Sequence, residues 1–168
     1  MTKIMTKDEL IKLVQEIVAE AKSLSAKHTD QAHAPVNYAC VFSQSENAFE
    51  KLLKIASHMG RVVQETKMGP VLQIEPIETT AGFLEVLKIR KPDLNRPEKG
   101  DADFTVEDYQ EFKTRYLKQT GFSLIERPGM EMVELADPSF SALAYYSYPI
   151  LSDSLKLKLQ HVIETKRS

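Results

Sequence analysis

The stretch VNYACVFSQSENAFEKLLKIASHMG, residues 36–60, decides the fold because its hydrophobic pattern changes from that of a strand to that of a helix. Its opening VNYACVF is rich in β-branched and aromatic residues, which favour a strand. From residue 46 onward, apolar residues recur at helical spacing, which predicts an amphipathic helix. Ser43 with Glu46 predicts a capping box before this helix, and Gly60 predicts a left-handed C-cap after it. The stretch therefore predicts a strand that leads into a helix.

Three strand-like segments follow, and the same order then recurs. The first three are RVVQET (61–66), PVLQIEP (70–76) and FLEVLKIR (83–90). DADFTV (101–106) leads into a helical pattern that ends at Gly121, and FSLIER (122–127), MEMVELAD (130–137) and SALAYYSYP (141–149) complete the second set. Three landmark pairs, Glu46/Glu107, Gly60/Gly121 and Glu65/Glu126, are each separated by 61 positions. This constant offset predicts an internal repeat of two βαβββ modules.

Both ends of the chain extend beyond the repeat. Thr6 and Glu9 form a capping-box pattern, and an apolar stripe from Leu10 to Leu24 predicts an N-terminal helix that covers the main domain or forms a homodimer contact. After Pro149, Ser152 or Asp153 could cap a helix, although LKLKL (155–159) could instead form a strand. The predicted helix uses Leu155, Leu159, Val162 and Ile163. The predicted divisions are 1–35 (helix and linker), 36–149 (modules 36–92 and 101–149) and 150–168 (C-terminal helix or tail).

Composition narrows the function classes. The 168 residues are 42% hydrophobic and 27% charged, with a formal net charge of -2, so the chain has no overall cationic field for nucleic acid or a membrane surface. One cysteine, Cys40, excludes an intrachain disulfide and suits a reducing compartment. No apolar run reaches the length of a membrane span. We therefore expect a cytoplasmic α+β protein with no nucleic-acid or membrane partner.

Two tandem βαβββ modules resemble the vicinal oxygen chelate superfamily, which includes glyoxalase I, extradiol dioxygenases and bleomycin-resistance proteins. The segments that suggest this are VNYACVF, MGRVVQETKMGPVLQIEPI, LEVLKIRKP and GDADFTV, and the resemblance covers residues 36–149. The chain looks most like the YecM-like branch, which also has an N-terminal helical extension. The resemblance implies an open half-barrel whose interior holds a divalent ion through His, Glu or Gln side chains.

Position by position, the implied metal ligands are largely replaced. The positions fall on Asn37 in the first strand, Lys88 in the strand that closes the first module, and Asp101 in the second module. A shifted register would offer Glu85 in place of Lys88. The last strand supplies only Ala144, Tyr145, Tyr146, Ser147 and Tyr148. Only Asp101 is a plausible ligand at these positions, so we predict no cofactor, while a divalent metal ion at Asp101 and Asp103 remains the alternative.

Strand alternation gives each candidate a face. It predicts that Val36, Tyr38, Cys40 and Phe42 face the helix, whereas Asn37 faces the cleft. It also places Asp101 and Asp103 on one face of their strand and Ala102 and Phe104 on the other, toward the helix. Lys88 and Arg90 share a face and could receive a carboxylate or phosphate, or Lys88 could pair with Asp101. Asp101 and Asp103 could instead lie at a solvated strand end, and Tyr146 could present its phenol to a ligand or pack within the sheet.

These residues support three interpretations of function. The first is a protein that binds a small anionic molecule through Asn37, Lys88, Arg90, Asp101, Asp103 and Tyr146, without a metal of the superfamily's type. The second is a metal-dependent isomerase or dioxygenase-like enzyme that uses Asp101, Asp103 and Glu85 or Glu134. The third is an interaction or assembly protein whose barrel is filled by its own side chains.

Overall fold

The computed structural model describes residues 5–161 as eight strands and four helices. The helices are α1 (Lys7–His28), α2 (Glu46–Met59), α3 (Tyr109–Tyr116) and α4 (Leu151–Ser154). The strands are β1 (Val36–Phe42), β2 (Gly60–Gln64), β3 (Val71–Thr79), β4 (Gly82–Arg90), β5 (Gly100–Phe104), β6 (Phe122–Arg127), β7 (Met130–Leu135) and β8 (Ala142–Tyr148). None of the helices in residues 5–161 is long and apolar enough to cross a lipid bilayer.

All eight strands form one mixed sheet in the order β2-β3-β4-β1-β5-β8-β7-β6. In each half the first strand pairs in parallel with the last, β1 with β4 and β5 with β8. The halves join through the antiparallel pair β1 and β5 at the centre of the sheet. The predicted α+β class and open half-barrel are confirmed, and both halves share one pairing scheme.

Helix α1 lies across the sheet and contacts β8, β5, β1 and β3. Its predicted capping box is present, because the Thr6 hydroxyl accepts the Glu9 amide hydrogen and the Glu9 carboxylate accepts that of Thr6. The buried stripe comprises Leu10, Val14, Ile17, Val18, Ala21, Leu24 and Ser25. The prediction that this helix covers the main domain is therefore correct, and its apolar face is used within the chain.

The ends of α2 and α3 differ from the predictions. Ser45, not Ser43, caps α2 by accepting the Ala48 amide hydrogen. Gly60 is extended, with φ of -178°, so it is not a left-handed cap. A Cβ atom at Gly60 would lie 1.9 Å from the Gln73 carbonyl oxygen. Strand β3 therefore approaches too closely for any residue other than glycine at this position. Helix α3 ends at Tyr116 rather than continuing to Gly121.

The predicted C-terminal helix is present after β8, but it is short and does not extend through Leu155 and Leu159. Helix α4 spans four residues, and the chain beyond it continues without a further helix or strand as far as residue 161. Leu155, Leu157 and Leu159 pack against a cluster that contains Tyr38 and Val86. These three leucines are at alternate positions and are partly buried, whereas Lys156 and Lys158 between them are exposed. Val162 and Ile163 lie outside the described residues. We call residues 155–161 the C-terminal segment.

Glu85 fixes the end of the C-terminal segment. Glu85 is 3% exposed, and its carboxylate accepts the backbone amide hydrogens of Gln160 and His161, each at 2.7 Å. The His161 ring also stacks on Phe83 with centroids 3.9 Å apart. These contacts hold the segment against β4.

We expect Glu85→Ala to release the C-terminal segment and to reduce the free energy of unfolding by about 2 kcal/mol, because two charge-assisted hydrogen bonds are lost. Hydrogen exchange at the Gln160 and His161 amides measures the release directly. As a control, His161→Ala removes the ring stacking and the 3.4 Å contact between His161 Nδ1 and Glu85 but leaves both backbone bonds, so these amides should stay protected. Unchanged exchange in Glu85→Ala would contradict the assigned role of Glu85.

Candidate functional site

The concave side of the sheet contains a cleft of about 640 Å³, within the size range of small-molecule sites. It lies between the β2–β3 connection of the first half and the β6–β7 hairpin of the second. The lining residues are Tyr38, Cys40, Gln64, Thr66, Lys67, Met68, Lys88, Arg90, Arg96, Asp101, Ile125, Arg127, Pro128, Met130, Met132, Tyr145 and Leu151. Five of these side chains are basic and only Asp101 is acidic, so the cleft is cationic although the whole chain is not.

Three neighbouring strands bring the polar floor of the cleft together. Cys40 in β1 is in register with Lys88 in β4 on one side and with Asp101 in β5 on the other. Because adjacent strands lie about 4.8 Å apart, the Lys88 and Asp101 backbones are separated by about 10 Å. Cys40, which lies between them, also lines the cleft. The alternative that Lys88 and Asp101 form an ion pair is not realised, since no such pair occurs within 4.0 Å in residues 5–161.

Asp101 is the acidic group of this floor. It is 4% exposed, and its Oδ1 atom is buried without a hydrogen-bond partner in the described part of the chain. Burial raises the pKa of Asp101 well above its ordinary value and the nearby Asp103 adds to this, while Lys88 and Arg90 oppose it. A carboxyl group with a raised pKa can remain protonated at higher pH and donate a hydrogen bond.

The basic side chains differ in how far they are already neutralised. Arg90 is 3.1 Å from Asp93 and lies over the Phe42 ring, with 4.9 Å to its centroid. Arg96 is 3.1 Å from Glu134, whose Oε2 also accepts the Tyr145 hydroxyl at 2.7 Å. For Lys88, by contrast, residues 5–161 supply no hydrogen-bond or ion-pair partner. Lys88 is therefore the partly buried cation that a bound anion could neutralise.

Asp103 lies deeper than Asp101 and does not line the cleft. It is fully buried, in register with Tyr38 of β1 and Tyr145 of β8, and it accepts a hydrogen bond from the Ser147 hydroxyl. Its Oδ1 has no partner within the described residues. Burial raises the pKa of Asp103 to about 7, although the bonds from Ser147 act in the opposite direction.

For most of β1, the prediction of which face of the sheet each side chain lies on is wrong. A register shift against β5 lies at the start of β1 and reverses the alternation beyond it. Ala39 and Val41 consequently join the core beneath the helices. Tyr38 and Cys40 line the cleft, and Phe42 packs with Cys40 on that side. The alternation predicted for β5 is correct, because Ala102 lies in the helix-side core and Asp101 in the cleft.

Two predicted ligand-binding residues are bonded elsewhere. Asn37 is 2% exposed, donates to the Ser152 hydroxyl at 2.6 Å and accepts the Ser152 amide hydrogen at 3.1 Å. It therefore anchors α4 to β1 and is not among the cleft residues. Tyr146 is fully buried on the opposite face, where its hydroxyl is 2.5 Å from the Ser25 hydroxyl of α1. Since β8 alternates, Tyr145 rather than Tyr146 reaches the cleft.

The donor set does not fit the metal site that the resemblance implies. The four corresponding positions present an amide already bonded to Ser152, the ammonium of Lys88, the Asp101 carboxyl and a strand without His or carboxylate. Glu85 and Glu134 are engaged by the C-terminal segment and by Arg96. Over residues 5–161 no group of three or more His, Cys, Asp or Glu side chains is arranged to hold a metal ion.

Several cleft residues are not identifiable from the simplest sequence patterns. Arg96 lies in a Pro-rich, charged connection, where the local pattern indicates a solvated linker. The methionines at positions 68, 130 and 132 belong to hairpins and have no chemical motif around them. The two methionines at alternate positions of MEMVEL, Met130 and Met132, are the available signal, because alternate residues share one face of a strand.

Comparisons with known proteins establish the fold. No family model and no curated protein matches the sequence. Among solved structures, the chain is similar to a structural-genomics structure of protein EC4020, with a TM-score of 0.65 and 10% identity over 92% of this chain and 97% of that chain. A glyoxalase I structure from Zea mays matches with a TM-score of 0.38 and 15% identity, covering 68% of this chain and 42% of that one. At these identities the first match shows a shared fold alone, and the second is too weak to carry an argument.

Proposed function

We propose that this protein has a fold of the vicinal oxygen chelate type and binds a small anionic molecule in the concave cleft, without a metal of the superfamily's usual kind. The paired-module topology supports the fold assignment. The observation that carries the binding proposal is the floor of the cleft, where the Lys88 ammonium has no partner in residues 5–161 and the buried Asp101 Oδ1 has none either.

The unpartnered Asp101 Oδ1 is unusual in a folded protein because buried polar atoms are nearly always hydrogen-bonded, whereas Lys88 is only partly buried. A bound anion would neutralise Lys88, and its oxygens would accept hydrogen bonds from Lys88 and Arg90. A protonated Asp101 could donate a further hydrogen bond to the same anion. The proposed ligand therefore neutralises a cation that residues 5–161 leave without a partner.

The test is isothermal titration calorimetry of the purified protein against acetate, octanoate, succinate, citrate and inorganic phosphate. We expect at least one of these anions to bind with 1:1 stoichiometry, and Lys88→Met to weaken that binding at least about tenfold, because a charged contact is lost. Lys54→Met removes the same charge from the exposed surface of α2, so it should leave the affinity unchanged.

Equal weakening in both variants would indicate a nonspecific charge effect and would contradict the site. Metal analysis of the same protein tests the remaining part of the proposal. A stoichiometric divalent ion that is lost in Asp101→Asn would overturn the metal-free assignment and support the metal-dependent alternative. Absence of binding for every anion would overturn the proposed function.

A further inference from the structure

The cleft has apolar walls above its polar floor. Ile125 and Met132 are paired across the β6–β7 hairpin and pack beside Cys40 and Tyr145. Met130 continues the same face of β7, and all three side chains line the cleft while remaining half-buried. Thioether and aliphatic side chains adapt to apolar groups of varied shape. A fully polar ligand would leave this wall uncovered.

The charges at the floor favour a ligand with one negative charge. Arg90 and Arg96 each already have a carboxylate at 3.1 Å, Asp93 and Glu134 respectively. Lys88 is the remaining partly buried cation among the cleft residues, since Lys67 and Arg127 are exposed. A dianion placed here would be only half neutralised at the floor. One carboxylate matches the single open ammonium.

We infer, building on the proposed function, that the ligand is an amphipathic monocarboxylate. Its carboxylate contacts Lys88 beside Asp101, and its apolar body lies along Ile125, Met130 and Met132. The cleft volume of about 640 Å³ exceeds what a small inorganic anion fills and leaves room for such a body. The buried floor and the half-buried walls give the ligand its orientation, with the carboxylate innermost.

Asp101 is compatible with this orientation in its protonated form. Burial and Asp103 raise its pKa, so the neutral carboxyl can donate its hydrogen to a ligand carboxylate oxygen. An ionised Asp101 would instead repel the ligand.

The experiment measures the dissociation constants of straight-chain carboxylates from acetate to octanoate, at concentrations below micelle formation. We expect the dissociation constant to fall about two- to fourfold for each added CH₂ group, because each group buries apolar surface. Lys88→Met should weaken every member by a similar factor. Met132→Gln should weaken octanoate strongly and acetate little, and Met130→Gln provides the same test nearer the hairpin turn if Met132→Gln fails to fold.

The outcomes separate this inference from the proposed function. If phosphate or citrate binds through Lys88 and octanoate binds no better than acetate, the monocarboxylate inference is overturned and anion binding stands. If 1-octanol binds as tightly as octanoate, the carboxylate contributes nothing and the inference is overturned. If no anion binds at all, both fall together.

Discussion

The Asp103→Asn substitution is expected to change the free energy of unfolding more favourably at pH 8 than at pH 5. Burial raises the pKa of Asp103 to about 7, whereas an unfolded aspartate titrates near its ordinary value of 3.8. Between pH 3.8 and about pH 7 the folded state therefore holds a proton that the unfolded state has lost. Stability from this group is complete below pH 3.8 and is lost as the pH rises to about 7. Between pH 5 and pH 8 the loss is about 3 kcal/mol.

Asparagine does not titrate, so the variant lacks this loss. Urea unfolding of both proteins at pH 5 and pH 8 gives the change as a difference of differences, which cancels any constant cost of burying an amide beside Ser147. Asp101 titrates nearby and its raised pKa acts in the same direction, so the measured difference includes the coupling of the two carboxyl groups. An advantage for the Asp103→Asn variant that is identical at both pH values would show that Asp103 titrates normally.

Ser147→Ala supplies a matched comparison. The Ser147 hydroxyl donates to Asp103, and this contact lowers the pKa of the carboxyl against the effect of burial. Removing the hydroxyl should raise the pKa further, so the loss of stability should extend to higher pH. A shift of the titration window to lower pH would contradict the assigned direction.

The element order was predictable because its signals are local. Each strand and helix has its own periodicity, and the constant 61-residue offset places the two halves in the same order. The faces of β5 were also predictable, since Asp101 and Asp103 alternate with Ala102 and Phe104. Polar and apolar residues that alternate on a strand report which face is which.

The faces of β1 were not predictable, because β1 lacks the alternation of polar and apolar residues that marks the faces of β5. Every residue of β1 is buried, so VNYACVF has no polar face to mark its phase, and the register shift at its start leaves no local signal. Asn37 is the one polar residue, and its partner Ser152 lies 115 positions away. The cleft likewise depends on tertiary structure, because Arg96 and Met132 reach it from separate segments. The fold could be predicted from local sequence patterns, whereas most of the site depends on contacts between segments that are distant in the sequence.

Gly100→Ala is expected to cause a large loss of stability. Gly100 pairs with Val41 of β1 and Ala142 of β8 at the centre of the sheet. A Cβ atom there would lie 2.1 Å from the Cys40 carbonyl oxygen and 2.8 Å from Cδ1 of Ile17. The Ile17 side chain could turn away, but the backbone oxygen cannot move without separating β5 from β1.

The central strand pair that carries Cys40 and Asp101 would therefore have to shift, and we expect Gly100→Ala to lower the free energy of unfolding by about 3 kcal/mol or more. Gly129→Ala is the matched control. Its φ is +77°, yet a Cβ atom there meets nothing within 4 Å, so its cost should be about 1 kcal/mol from backbone strain alone. Urea unfolding gives the free energy of unfolding of each variant, and the difference between them compares the cost of steric overlap with the cost of backbone strain. Equal costs would mean that β1 and β5 do not approach as closely as described, and the geometry of the cleft floor would have to be revised.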